Sequence, residues 1–173
     1  APGHAGVLAA AEAVAAEIGA AVGAWRVARL AGIYGPGRTY FLNLLRSREG
    51  VMPGYGDYHV NWIHRDDIAR ALLAMLGDSA ATRNGVYNVA DDHPALRAEI
   101  ADWLAERCGL GKARFDPTAS GGRSGFRAGR DGRPPNRRIA NDRLRKTFGW
   151  APAYPDFRAG YADLLQAKES NPR

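Results

Sequence analysis

A single cysteine in 173 residues, Cys108, excludes an internal disulfide and fits a reducing compartment, the cytoplasm. It falls on a helical apolar stripe, where packing accounts for it better than a reactive thiol does. Histidine is scarce as well. His4, His59, His64 and His93 show no ligand spacing with cysteine or carboxylates, so no metal site is expected. There is no Gly-x-Ser-x-Gly elbow, no Gly-Lys-Ser/Thr phosphate loop and no kinase signature, and Ser120 and Ser124 have no base beside them in sequence. A dinucleotide fingerprint is missing too: Gly32, Gly35 and Gly37 have the wrong spacing for one. No run reads as long enough to span a bilayer, and no signal peptide is visible. The first residue is Ala, so the start is expected to be processed or the chain to be a piece of something longer.

What is present suits one domain with a sizeable core: 46% of residues are hydrophobic. The net charge of +6 is unevenly spread. Lys112 to Lys146 holds 11 basic and 3 acidic residues, a local +8, which leaves about −2 elsewhere. Such a block suggests an anionic partner, a phosphate-bearing small molecule before nucleic acid, because aromatic interleaving and nucleic-acid-binding signatures are lacking. A polyanion-binding module built on 112–146 is therefore one functional reading.

The pattern alternates helices and short strands. Residues 5 to 18 form an alanine-rich amphipathic helix through Val7, Ala11, Val14 and Ile18, with Gly19 and Gly23 ending it. Arg26 to Ile33 is a strand buried on both faces, broken by Gly35-Pro36-Gly37. Thr39 caps a helix through Phe41, Leu42, Leu44 and Leu45. A loop follows over 49–58, then a strand from His59 to His64. Asp66 or Asp67 caps a helix whose face is Ile68, Leu72, Met75 and Leu76. Gly85 to Ala90 is a buried strand. Asp91-Asp92-His93-Pro94 opens a helix through Leu96, Ile100, Leu104 and Cys108. Residues 111 to 137 show no periodicity. Asn141 caps a short helix through Leu144 and Phe148, and Phe157, Tyr161 and Leu164 or Leu165 face a last one.

Five stretches, in order, carry a resemblance. They are Arg29 to Gly37 around Ile33-Tyr34-Gly35-Pro36-Gly37, Asn61 to Ala69, Gly85 to Asp92, Arg138 to Asn141, and Leu144 to Trp150 with Pro152. Together they resemble the extended short-chain dehydrogenase/reductases, the NAD-dependent epimerase/dehydratases, over nearly the whole chain. The resemblance implies an α/β Rossmann-type fold, here its C-terminal portion. About 1–40 would end the Rossmann sheet, and about 41–173 would form the substrate-binding part. A missing N-terminal half, or a completing chain, would supply the remaining strands.

It also implies NAD or NADP as cofactor, with Leu30, Ala31, Gly32 and Ile33 beside the nicotinamide. Arg38, Tyr40, Tyr55 and Asn61 would line a pocket for a small polar or anionic substrate, and Arg127, Arg130 or Arg133 would grip its anionic group. In the family, the helix at the position of residues 5 to 18 carries Tyr-x-x-x-Lys. Anchored on Glu12, His4 stands at the tyrosine position and Leu8 at the lysine position, so the chain resembles the atypical branch. His4 is the one candidate proton carrier, since leucine can neither depress a neighbour's pKa nor bind a ribose. Val60 stands where most extended epimerases have an arginine, which weighs against a nucleotide-sugar substrate. The 5–18 helix could pair with its copy in a homodimer. The alternative to an oxidoreductase or epimerase/dehydratase is a catalytically silent, cofactor-sensing protein of the same fold.

Overall fold

The computed structural model describes residues 4–78, 83–119 and 133–169. Six helices and eight short strands follow one another: α1 His4–Val22, β1 Arg26–Leu30, β2 Gly32–Tyr34, α2 Tyr40–Ser47, β3 Val51–Pro53, β4 His59–Val60, β5 Trp62–His64, α3 Arg65–Leu76, β6 Gly85–Val89, β7 Ala95–Leu96, α4 Arg97–Arg107, β8 Arg114–Asp116, α5 Asp142–Phe148 and α6 Phe157–Glu169. The strands form four pairs. β1–β6, β2–β5 and β3–β8 are parallel, and β4–β7 is antiparallel.

The long strand expected from Arg26 to Ile33 is split. It pairs with β6 up to Leu30 and with β5 from Gly32 on. It is also half-exposed rather than buried on both faces, because among the described residues β1 pairs on one edge only. The strand expected from His59 to His64 divides in the same way at Asn61, β4 turning to β7 and β5 to β2.

Two apolar clusters hold the chain. One joins α2, α4 and α6 around Tyr34, Met52 and Trp62. The other joins α3, α5 and β6 around Ile63, Tyr87, Val89 and Trp150. Of the face expected for α3, Ile68 and Met75 are buried, with Ala71 beside them, while Leu72 and Leu76 point to solvent. α1 departs furthest. Val7, Val14 and Ile18 are all more than half exposed, so its stripe faces no core among the described residues. Ala5–Val22 also corrects the reading of bilayer runs. Its mean hydropathy of 1.6 makes it long and apolar enough to cross a membrane by length and composition. Glu12 and Glu17 lie within that window.

Several helix starts shift for local reasons. His64, not an aspartate, caps α3: its Nδ1 accepts the Asp66 N–H at 3.3 Å. Asp67 faces inward instead and accepts the N–H groups of Ala153 (2.8 Å) and Tyr154 (2.9 Å). α4 starts at Arg97, because Ala95 and Leu96 are taken by pairing with β4; Leu96 therefore points outward. Thr39 and Asn141 precede α2 and α5 without a side-chain cap bond. Strands β3 and β8 occupy ground read as loop.

Candidate functional site

In open α/β sheets, ligands settle beyond the carboxyl ends of parallel strands, where the chain changes neighbour. Here that point is Ala31. Its N–H still donates to Val89 O of β6 (3.0 Å), and the next N–H, on Gly32, already donates to Asn61 O (2.9 Å). Leu30 is 43% exposed, Gly32 is exposed, and Ala31 and Ile33 are half-buried. The four residues expected at the cofactor thus sit together at an open fork. Gly32 is required by its surroundings: a Cβ there would lie 3.0 Å from Asn61 O and 3.2 Å from Trp62 Cδ1.

An extended strap over 133–141 crosses this end of the sheet, held by side chains that mimic backbone. Asn61 uses both ends of its amide, donating to Arg137 O (2.9 Å) and accepting the Ile139 N–H (2.6 Å). Asn88 donates to Ala140 O (3.2 Å). Asn141 donates to Ala90 O (2.9 Å) and Asp92 Oδ1 (2.8 Å). Asn136 Oδ1 accepts both the His59 N–H (3.0 Å) and His59 Nδ1–H (2.8 Å), while His59 Nε2 accepts Arg138 Nε–H (3.1 Å). A guanidinium can only donate, so in this geometry Nε2 is the acceptor and Nδ1 the donor of the ring.

The 53–58 loop meets the strap. Arg133 pairs with Asp57 and lies over the Tyr55 ring, 4.4 Å from its centroid. The Asp57 carboxyl is held below its ordinary range chiefly by the hydrogen bond from Arg133. Beneath the loop is Arg97, 7% exposed. Its Nη1 donates to Pro53 O (2.9 Å) and Tyr55 O (2.8 Å), and Phe41, Tyr58 and Phe115 ring it at 5.1–6.0 Å.

Of the expected substrate residues, Tyr55, Asn61 and Arg133 therefore gather around loop and strap. Arg38 closes the tight turn at Gly35, its N–H donating to Gly35 O at 2.8 Å, and stands exposed; Tyr40 opens α2 and is 47% exposed. Arg127 and Arg130 lie outside the described residues. His4 is the first residue of α1. Sequence reasoning missed His59, Asn136 and Arg97. The signal for Arg97 was available: Arg97, Ile100, Ala101 and Leu104 share a helical stripe whose other members are apolar and buried.

Behind the fork lies a second polar cluster. Asp91 is 2% exposed, its Oδ1 has no hydrogen-bond partner among the described residues, and burial together with Asp156 and Asp92 pushes its pKa up to about 8. Tyr34 donates to Asp156 O (3.3 Å) and stacks on Tyr161 (5.0 Å). Burial moves the His64 pKa down, which keeps that ring neutral.

No protein-family model matches the chain. It is 32% identical over 139 residues to a 3-diazoavenalumate denitrifying reductase of a Streptomyces species, a match covering 78% of the chain and 45% of that relative. A functionally unknown conserved protein of Silicibacter pomeroyi superposes with a TM-score of 0.64 at 30% identity, over 83% of this chain and 48% of that one. DesIV of Streptomyces venezuelae, a dTDP-glucose 4,6-dehydratase solved with NAD and TYD, gives a TM-score of 0.70 at 18% identity, over 94% and 49%. The fold is that of the NAD-dependent epimerase/dehydratases. The chain spans about half the length of each of these proteins.

Proposed function

We propose that the chain is the C-terminal portion of an NAD(P)-dependent oxidoreductase or epimerase/dehydratase of the atypical type, acting on a small polar or anionic substrate. The observation that carries this is the exposed fork at Leu30 to Ile33, beyond the carboxyl ends of two parallel strands and beneath a side-chain-anchored strap. The residues fit a nicotinamide cofactor there: the strand end offers backbone groups, and Gly32 has no side chain to obstruct it. NAD or NADP would supply hydride transfer. The chain's own residues would shape the substrate side, with Tyr55 as a flat wall and Arg133 and Arg38 as cations. His4, in place of the tyrosine, is the candidate proton carrier, and the lysine partner is replaced by Leu8.

A preceding segment or a completing chain fits the open edge of β1 and the exposed stripe of α1. On this reading about 1–40 ends the Rossmann sheet and 41–173 builds the substrate side. The same stripe could instead take a second copy of the chain. The polyanion reading is less favoured, because four of the six described arginines of the block are engaged internally. Arg133 pairs with Asp57, Arg138 with His59, Arg145 with Asp92, and Arg143 with Val86 O.

The test is calorimetric titration of the full-length protein with NADH and NADPH. A dissociation constant in the micromolar range for either supports the reading. No heat from a well-folded protein overturns it. A His4→Ala variant that binds cofactor but loses turnover separates the enzyme from the silent cofactor-sensing protein.

A further inference from the structure

Arg97 is out of place by ordinary rules. A charge that is 93% buried is costly unless it is paired, and among the described residues no carboxylate forms an ion pair with it. A leucine would continue the apolar stripe of α4 at less cost. The guanidinium must therefore provide something that an apolar side chain cannot.

What it provides is a grip on one loop. Its Nη1 donates to Pro53 O and Tyr55 O. Its own backbone N–H donates to Tyr58 O at 2.9 Å, and the Ala98 N–H donates to Gly56 O at 2.9 Å. Four carbonyls of 53–58 are thus captured by the first turn of α4. The rings of Phe41, Tyr58 and Phe115 present their faces to the cation and replace part of its lost hydration. Packing tightens the grip from the other side: a Cβ on Gly56 would meet Phe115 Cε2 at 2.8 Å and Ala98 Cβ at 3.0 Å. Only a planar, permanently charged fork bonds two carbonyls and stacks against rings in the same place.

The loop so held carries Tyr55 and Asp57, which receive Arg133 at the head of the strap. We propose that Arg97 is the positioning residue of the substrate pocket: it fixes the 53–58 loop, and through Tyr55 and Asp57 it sets where the strap lies over the site. It touches neither cofactor nor reacting atoms, and it acts through the carbonyls it holds. This rests on the functional reading above for the word "substrate", but the mechanical claim is independent of it.

The experiment uses the full-length protein with Arg97→Met and Arg97→Lys. Amide exchange reads the loop directly, because the Gly54 N–H donates to Asp116 O (2.7 Å) and the His59 N–H to Asn136 Oδ1 (3.0 Å). In Arg97→Met, exchange at Gly54 and His59 rises at least tenfold while the amides of Ala101 to Ala105 in α4 keep their protection. Arg97→Lys, which keeps charge without the fork, falls between; if the methionine variant does not fold, the lysine variant decides. For whichever substrate a reductase screen identifies, KM rises about tenfold with kcat changed less than threefold, and NAD(P)H affinity is unchanged. Unaltered exchange at Gly54 and His59 in a folded variant overturns the proposal, as does a fall in kcat with KM constant. Failure of the wild-type protein to bind NADH or NADPH sinks only the functional reading, since the exchange measurement stands without cofactor.

Discussion

α4 carries five charged residues in eleven, yet Arg97, Ile100, Ala101, Leu104 and Ala105 are all buried. α1 carries two carboxylates in nineteen, yet only Gly19 of its described side is buried. The more apolar helix is the more exposed one. Apolar content supplies a driving force, but burial needs a surface of matching shape. α4 finds one in α2, α6 and the strands between them. Among the described residues α1 meets the half-covered β1 through the Glu12–Arg29 pair and Trp25 through the close approach at Gly19.

The sharpest way to probe the covered side is through Asp91. Folding raises its pKa from an ordinary 3.8 to about 8. Below about pH 4 both folded and unfolded chains hold the proton, so Asp91 contributes nothing to pH dependence. From there to about pH 8 the unfolded chain ionises and the folded one does not, so stability falls as pH rises, by at most about 6 kcal/mol. Asp91→Asn should flatten this slope and raise the urea midpoint at pH 8 above that of the wild type. An unchanged slope would mean that the carboxyl is not the source.

Next in size is Gly160→Ala. Its Cβ would fall 2.2 Å from the Tyr34 hydroxyl and 2.6 Å from Cε2. Overpacking together with loss of the Tyr34–Asp156 bond should cost about 3 kcal/mol in urea unfolding. Smaller, and aimed at the contrast itself, are Val14→Ser and Ile18→Ser. In the 173-residue chain each should stay within about 0.5 kcal/mol of wild type. Joined to the completing segment proposed above, each should cost about 1.5–3 kcal/mol if that segment covers α1. Equal small effects in both would show that the stripe stays bare. Smallest is Arg29→Met. The hydrogen bond from Arg29 holds the Glu12 carboxyl below its ordinary range, so the substitution should return it upward in an NMR titration with no measurable change in unfolding midpoint.

The same contrast explains what could be read in advance. Long, periodic elements and glycine stops were legible. Of the two glycines expected to end α1, Gly23 does sit just past the helix with positive φ while Gly19 lies within it, and the Rossmann-type fold followed from five ordered motifs. The short strands β3, β7 and β8 were not legible. Two or three residues carry no period, and their partners lie far away, Val51 opposite Arg114. The Ala31 fork was located by its residues, but its change of partner depends on Asn61, thirty residues on. Tyr55 and Arg133 were named singly, whereas their stacking is a tertiary fact. Asn61 was expected to face substrate, and its amide is engaged by the strap backbone. α1's stripe was legible as amphipathic, and nothing in a period says whether a partner surface exists.

Trp62 gives the molecule an optical handle. It is 8% exposed, and the rings of Tyr34, Tyr161 and Phe41 stand 4.9, 5.2 and 5.5 Å from it. An indole so enclosed emits toward the blue and, locked among neighbouring rings, contributes strongly to near-ultraviolet dichroism. Its backbone carbonyl accepts the Asp91 N–H (2.7 Å), and its neighbour Asn61 anchors the strap. Trp25, Trp103 and Trp150 absorb as well, so the difference between the protein and a Trp62→Phe variant is the signal that reports on the fork, the strap and the buried carboxyl together, with no label attached.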